Sequence, residues 1–464
     1  MTDFLDQLRA IVGERYVLTS ADDMAPYLKE YRGRFNGTGK AVIRPANTQE
    51  VSAVVKHCAE HNVPIVPQGG NTSLVGGSIP YYDTTIVLSL SRLNTIRSVD
   101  PDNFTMTVEA GCILMQVQQA ATEHDRYFPL SLGSEGSCQI GGNIASNAGG
   151  ILTIRYGNTR DLVLGLEVVL PNGDIWNGLR GLRKDNTGYD LKHLFIGSEG
   201  TLGIITAAVV KLYPAPQQQT TFFASIHTPA DALALLSHTR QAFGEMISAF
   251  ELIARPCIAL AQEYGPPCVD PVTEKTEWTV LADINTTQEN IEAFLGEMFE
   301  QQIIVDATVT HSEQQRRDLW QMREAIVEAQ RNAGGSIKHD VSVNVSNIPA
   351  FIEEATALVR QMIPGVRPII FGHMGDGNLH FNLTQPINAD KATYLEQWDE
   401  INHAVHDVIQ KYNGSFSAEH GVGVFKAQEL VDRKSPVEID LMRRIKQALD
   451  PQHLMNPGKV LPDA

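Results

Sequence analysis

The spacing of apolar positions along the chain switches repeatedly between two periods. In TQEVSAVVKHCAEHN, residues 48–62, apolar residues recur every three or four positions, which predicts an amphipathic helix opened by Thr48 with Glu50 close behind. VPIVPQ (63–68), TTIVLSL (84–90) and FTMTVEAGC (104–112) are short apolar or alternating runs and predict strands. A further helix is expected from Leu114 to His124, and residues 1–35 predict one or two short helices. This alternation persists to Tyr213, where YPAPQQQT (213–220) interrupts it with two prolines and a polar run. A second alternating stretch reaches Gly414, and SPVEIDLMRRIKQALD in the tail predicts a helix stopped by Pro451. The expected units are therefore 1–214, 215–414, and a segment 415–464 that returns to the first.

Composition narrows the class. The chain has 464 residues, 43% of them hydrophobic and 20% charged, as in a soluble globular protein of more than one domain. A formal net charge of −17 argues against nucleic acid as a partner, because phosphate binding relies on clustered Lys and Arg. The five cysteines contain no CxxC, which excludes a zinc knuckle and any iron–sulfur relay carried by these residues, and suits a reducing compartment. No apolar run approaches the roughly 20 residues needed to span a bilayer, and the first residues lack a signal-peptide core. A cytoplasmic location is expected.

Three stretches are rich in glycine and other small residues. VPQGGNTSLVGGS (66–78) follows a predicted strand and offers consecutive backbone N–H groups, as an anion-binding nest requires, yet it is neither a Walker A motif nor a GxGxxG fingerprint. LGSEGSCQIGGNIASNAGG (132–150) has one charge, Glu135, and otherwise small residues suited to lying against a large flat ligand. LFIGSEGTLGIIT (194–206) is of the same kind. Together they point to a nucleotide.

FGHMGDGNLHFNL (371–383) carries two histidines about an Asp-Gly pair, a strong hairpin signal. A two-residue turn at Asp376–Gly377 would set His373 opposite His380 and Phe371 opposite Asn382, all on one face. The residues alone leave open whether the imidazoles are incidental or ligate a metal. SAEHGVG (417–423) offers Glu419 as a carboxylate ligand, and two His with one carboxylate is a familiar catalytic set for zinc and related ions. The adjacent His420 is the candidate general base.

PQGGNTSLVGG, GSCQIGGNIASNAGG, RKDNTGYDLKHLFIGSEGTLGIIT, GHMGDGNLHFN, SAEHGVG and MNPGK, in that order, resemble the D-2-hydroxyglutarate dehydrogenases, a branch of the vanillyl-alcohol-oxidase type of FAD flavoproteins. The resemblance implies an α+β fold of two domains: a non-Rossmann FAD-binding domain and an α+β cap for substrate. It implies FAD pyrophosphate on Gly69, Gly70, Asn71 and Thr72, and a flavin side lined by Gly136, Ser137, Gly141, Gly142, Asn143 and Asn147. Pro67, Ser73, Ser146, Gly149, Gly200, Ile204 and Asn456 complete the implied cofactor set. Asn71 stands where some relatives carry a histidine that bonds FAD covalently, so FAD is expected to be non-covalent. His373, His380 and Glu419 are implied as ligands of a divalent metal, zinc in the first instance and manganese as the alternative.

The implied reaction is oxidation of a D-2-hydroxy acid to the 2-oxo acid, the hydride passing to the flavin. Arg323, Lys338 and Asn382 match family positions that hold substrate carboxylates. One position departs: Val327 stands where the family has a threonine, removing a hydrogen-bond donor from the place that meets the distal carboxylate. D-lactate or another D-2-hydroxy acid with a shorter or more apolar tail therefore rivals D-2-hydroxyglutarate. An electron-transfer flavoprotein or quinone-type acceptor and a homodimer are expected, and a flavin subunit of a larger glycolate-oxidase-like complex is the alternative.

Overall fold

The computed structural model describes residues 4–33 and 35–463. The chain divides into two compact units, one of residues 1–149, 157–215 and 420–464, the other of residues 150–156 and 216–419. The tail thus rejoins the first unit at His420 rather than at 415, and a strip of seven residues that carries no boundary signal in the sequence belongs to the second.

In the first unit, strands β1 (Val17–Leu18), β2 (Ala41–Ile43), β3 (Ile65–Gln68) and β4 (Ile86–Ser89) form a sheet of order β1-β2-β4-β3. Strands β2 and β3 run parallel to β4. Helix α1 (Thr48–Glu60) covers this sheet with Val51, Val54 and Val55, all fully buried. Its cap lies one residue earlier than the sequence suggested: the Asn47 side chain accepts the Glu50 N–H at 2.9 Å, leaving Thr48 as the first helical residue. A second sheet of β5 (Ile96–Asp100), β6 (Thr105–Glu109), β7 (Val163–Val169), β8 (Ile175–Gly178) and β9 (Ile204–Lys211) is antiparallel, in the order β5-β6-β9-β7-β8. The tail runs alongside β3: Ile65 N–H donates to Leu454, and Asn456 N–H donates to Ile65, each at 2.8 Å.

The second unit is built on one large sheet. Its strands are β10 (Thr220–Ile226), β11 (Ile247–Ala254), β12 (Trp278–Ile284), β13 (Asp306–Val309), β14 (Ser336–Ile337), β15 (Asp340–Ser342), β16 (Arg367–His373) and β17 (Asn378–Thr384). The order is β13-β10-β12-β11-β16-β17-β14, with β15 also paired to β17. Strand β11, ISAFELIA, is buried at every position, so it reads as a continuous apolar run broken by one charge, Glu251. Helix α2 (Glu313–Asn332) turns Leu319, Met322, Arg323 and Ile326 inward. The strip 150–156 packs here too: a methyl on Gly375 would come within 2.3 Å of Ile154 Cδ1, and Arg155 Nη1 donates to Ser248 Oγ at 3.4 Å. Among the described residues no helix is long and apolar enough to cross a membrane.

Candidate active site

In the first unit two glycine-rich loops come together. The loop after β3 is closed by buried Gln68, whose Nε2 donates to the Tyr27 and Ser78 carbonyls at 2.9 and 2.8 Å. Asn71 sits at φ 55°, its amide donating to Pro26 and Lys29 carbonyls while its oxygen accepts from Ser78. The Asn71 side chain thus anchors the loop. Ser73 Oγ accepts from the N–H groups of Val75 and Gly77, which occupies its lone pairs and keeps its O–H as a donor. A Cβ on Gly70 would lie 2.1 Å from the Ser137 carbonyl, which is why only glycine lets the two loops meet.

The remaining cofactor candidates divide by what surrounds them. Gly142 has open space where a methyl would sit, and Gly136 meets only Met115 Cε at 3.6 Å. Gly141 instead packs on Ala110, 2.6 Å from a hypothetical Cβ, so its smallness serves the fold. Asn147 accepts the Arg160 N–H, and Ser146 Oγ donates to the Gly142 carbonyl. Asn143 and Ile204 are buried. Pro67, Gly200 and Asn456 cluster, with Pro67 Cγ 2.5 Å from a Cβ built on Gly200, and Asn456 Nδ2 donating to the Gly77 and Glu199 carbonyls. Gln139 Oε1 and Asn456 Oδ1 are buried without a hydrogen-bond partner. Free amides, open glycine faces and orphaned acceptors fit a large ligand bearing both phosphate and N–H or O–H donors, as FAD is.

Sequence reasoning missed Glu199. It stands at φ 51° inside GSEGTLG, and both its oxygens accept backbone N–H groups, from Val422 and Gly423, each at 2.7 Å. Burial pushes its carboxyl above the usual range against these two bonds. It fixes the turn that follows His420. The signal was there: a single carboxylate in a stretch of small residues.

In the second unit the hairpin forms, but not in the expected register. Phe371 pairs with His380 and Ile369 with Asn382, a shift of two residues, and Met374–Gly377 make a wider turn. The ends of both strands have other partners. His373 pairs with Glu251 on β11, His380 pairs with Asp340 on β15, and Gly377 accepts from Val343 while Gly375 donates to Phe250. Because the shift is even, both histidines keep one face. Their ring centroids are 5.7 Å apart at 78°.

Glu419 faces both. His373 Nε2 lies 3.4 Å from Glu419 Oε1, and His380 Nε2 lies 3.9 Å from Oε2. All three ligand atoms fall within 4.8 Å of one another. Ligands about 2.1 Å from a tetrahedral zinc ion stand about 3.4 Å apart, so this set fits such an ion with little movement. The Glu419 N–H donates to Asp340 Oδ2 at 2.9 Å, which holds the third ligand in place. The environment separates the two imidazoles. Burial works against protonation of His373, but Glu251 and Glu419 overcome it and push it up to about 10; burial brings His380 down to about 4 despite Glu419 and Asp340.

Arg323 is buried on α2, stacked over Phe371 at 5.0 Å. Its Nε donates to Glu251 Oε2 at 2.7 Å, and its Nη2 is buried with no partner. Glu251, unrecognised in the sequence, is fully buried. Against that desolvation, Arg323 and His373 hold its carboxyl at about 2. Asn382 is committed at both ends of its amide, donating to Gln330 and accepting the His339 N–H. Lys338, expected within a strand, falls in the break between β14 and β15 and is half-buried. Val327, one turn beyond Arg323, is 48% exposed.

Residues 39–178 match the FAD binding domain family, and residues 215–460 match the FAD linked oxidases, C-terminal domain. A D-2-hydroxyglutarate dehydrogenase of Stutzerimonas stutzeri (strain A1501) is 36% identical over 466 residues, 99% of this chain and 99% of its own. The chain belongs to the D-2-hydroxyglutarate dehydrogenase family. The mitochondrial D-2-hydroxyglutarate dehydrogenase of Arabidopsis thaliana is 37% identical, over 98% of this chain and 80% of that one. The fold is that of the vanillyl-alcohol-oxidase type: p-cresol methylhydroxylase superposes with a TM-score of 0.76 at 20% identity, over 99% of this chain and 96% of the other. As a member of this dehydrogenase family with an FAD-binding domain, the protein is an FAD-dependent dehydrogenase acting on a small hydroxy acid.

Proposed function

We propose that the protein oxidises a D-2-hydroxy acid to the 2-oxo acid with the help of a divalent ion, zinc or manganese, held by His373, His380 and Glu419. The observation that carries this reading is a buried cation with an unspent donor: Arg323 Nη2 has no partner in the same unit that assembles two imidazoles and a carboxylate. A substrate carboxylate would satisfy that donor in a charge-assisted bond. Bound FAD supplies the hydride acceptor, and a bound divalent ion supplies a Lewis acid that eases loss of the hydroxyl proton.

The chain's own residues do the rest. Arg323 anchors the carboxylate, with Lys338 as a second cation. The His420 imidazole takes the hydroxyl proton; its support is direct sequence adjacency to Glu419 and the turn that Glu199 fixes behind it. Asn71 carries no nucleophile suited to bonding FAD, which supports non-covalent binding. Electrons would leave to an electron-transfer flavoprotein or quinone-type acceptor, from a homodimer.

Val327 favours a second reading of the substrate. An exposed valine one turn from Arg323 offers no hydrogen bond to a distal carboxylate, so a D-acid with a shorter or more apolar tail competes with D-2-hydroxyglutarate. Anaerobic mixing of the yellow holoenzyme with D-2-hydroxyglutarate, D-lactate, D-malate, a bulky apolar D-2-hydroxy acid and their L-enantiomers tests both points. Bleaching by D-acids alone, abolished by a chelator and restored by zinc or manganese, is expected. Bleaching that survives complete metal removal would refute the metal's part, and the ranking of acids decides the substrate.

A further inference from the structure

We propose that Glu251 is the positioning residue of the metal centre, fixing by its two oxygens both the tautomer of His373 and the fork of Arg323. The inference rests on the metal reading above and adds what sets the ligand's orientation. Glu251 and His373 are direct partners between β11 and β16. Glu251 Oε1 lies 2.5 Å from His373 Nδ1, and Oε2 accepts the Arg323 Nε–H at 2.7 Å. The carboxylate is fully buried, so water does not compete for either oxygen.

An ionised carboxylate only accepts hydrogen bonds. His373 must therefore keep a proton on Nδ1, so an ion that takes the place of the Nε2 proton meets the lone pair of the atom that faces Glu419. The same carboxylate consumes Arg323 Nε and leaves Nη2 as the buried donor without a partner. One residue thus prepares a metal ligand and an anion anchor at once. Its partners are 122 and 72 residues away in sequence, which is why no local motif announces it.

Glutamine at this position separates the tautomer from mere volume. Arg323 Nε–H demands an acceptor, so the substituted amide would turn its oxygen to arginine and its NH2 to His373 Nδ1. His373 would then accept at Nδ1 and hold its proton on Nε2, with no lone pair for an ion. Aspartate keeps an acceptor-only group on a shorter arm.

The test is zinc affinity of the FAD-loaded full chain, read by competition with a chromophoric chelator, for wild type, Glu251→Gln and Glu251→Asp. Flavin absorbance and melting temperature report integrity. Glu251→Gln is expected to lower zinc affinity by about 10- to 100-fold at unchanged flavin content, with Glu251→Asp between it and wild type. Equal affinity in wild type and Glu251→Gln overturns the positioning role alone, as does an equal loss in both variants. Wild type that binds neither zinc nor, in a parallel titration, manganese overturns the metal reading and this inference with it. Should Glu251→Gln not fold, spectra of selectively 15N-histidine-labelled zinc-loaded wild type decide: a proton on His373 Nδ1 is expected, and a proton on Nε2 refutes the proposal.

Discussion

Two glutamates, Glu199 in the first unit and Glu251 in the second, each organise their surroundings, and the two are treated in opposite ways. Glu251, in the second unit, sits between two groups that carry or can carry positive charge, and its carboxyl is held at about 2. Glu199, in the first, receives two backbone N–H groups, with the charge of Lys426 a lesser help, and burial raises its carboxyl all the same. At Glu199 two backbone amides orient the carboxylate without offsetting its lost hydration, whereas at Glu251 the adjacent guanidinium and imidazole more than offset it. Glu251 is therefore suited to orienting charge, and Glu199 to holding a turn.

The largest expected effect is from Glu251→Ala. It leaves Arg323 and His373 buried with no counter-charge, so unfolding free energy should fall by about 3–5 kcal/mol, measured by chemical denaturation of the holoenzyme. Glu199→Gln should cost about 1–3 kcal/mol, because its NH2 must face one of two N–H groups that each need an acceptor. A similar loss at both positions would erase the contrast.

Their pH dependence separates them further. Glu251 has a lowered carboxyl, so its stabilisation is present above 4.5 and is lost as pH falls toward about 2. Glu199 has a raised one, so its contribution is fullest below 4.5 and declines as pH rises through its folded value. The deficit of Glu251→Gln should thus shrink in acid, and that of Glu199→Gln should shrink toward neutrality. Urea titrations of each variant against wild type across this range would show it. The smallest effect is at the substrate: Val327→Thr adds one donor near Arg323. It should favour D-2-hydroxyglutarate over an apolar D-acid by about 1 kcal/mol, about fivefold in relative kcat/KM.

The same contrast describes what could be read from the sequence. The glycine loops were legible because close backbone approach leaves a local signature, as at Gly70. His373, His380 and Glu419 were legible as a set, yet their register was not. The Asp-Gly rule treats the hairpin as isolated, and here β11 and β15 compete for the strand ends. The side chains of Asn71 and Asn147 also hold their own loops together, a role that a polar residue in a glycine-rich stretch does not announce. Glu251 and Glu199 stayed hidden because their partners are brought near by folding alone.

The chain path has a consequence for biosynthesis. The first unit is begun first and finished last, since its residues 420–464 leave the ribosome only after the whole second unit has been made. Until Met455 arrives, the Ile65 edge of β3 has no neighbour on its outer side, through the seconds to tens of seconds that synthesis of the intervening residues takes. That exposed edge is a template for pairing with other nascent chains. Expression yield should therefore respond to truncation of the last residues far more than to truncation of the first.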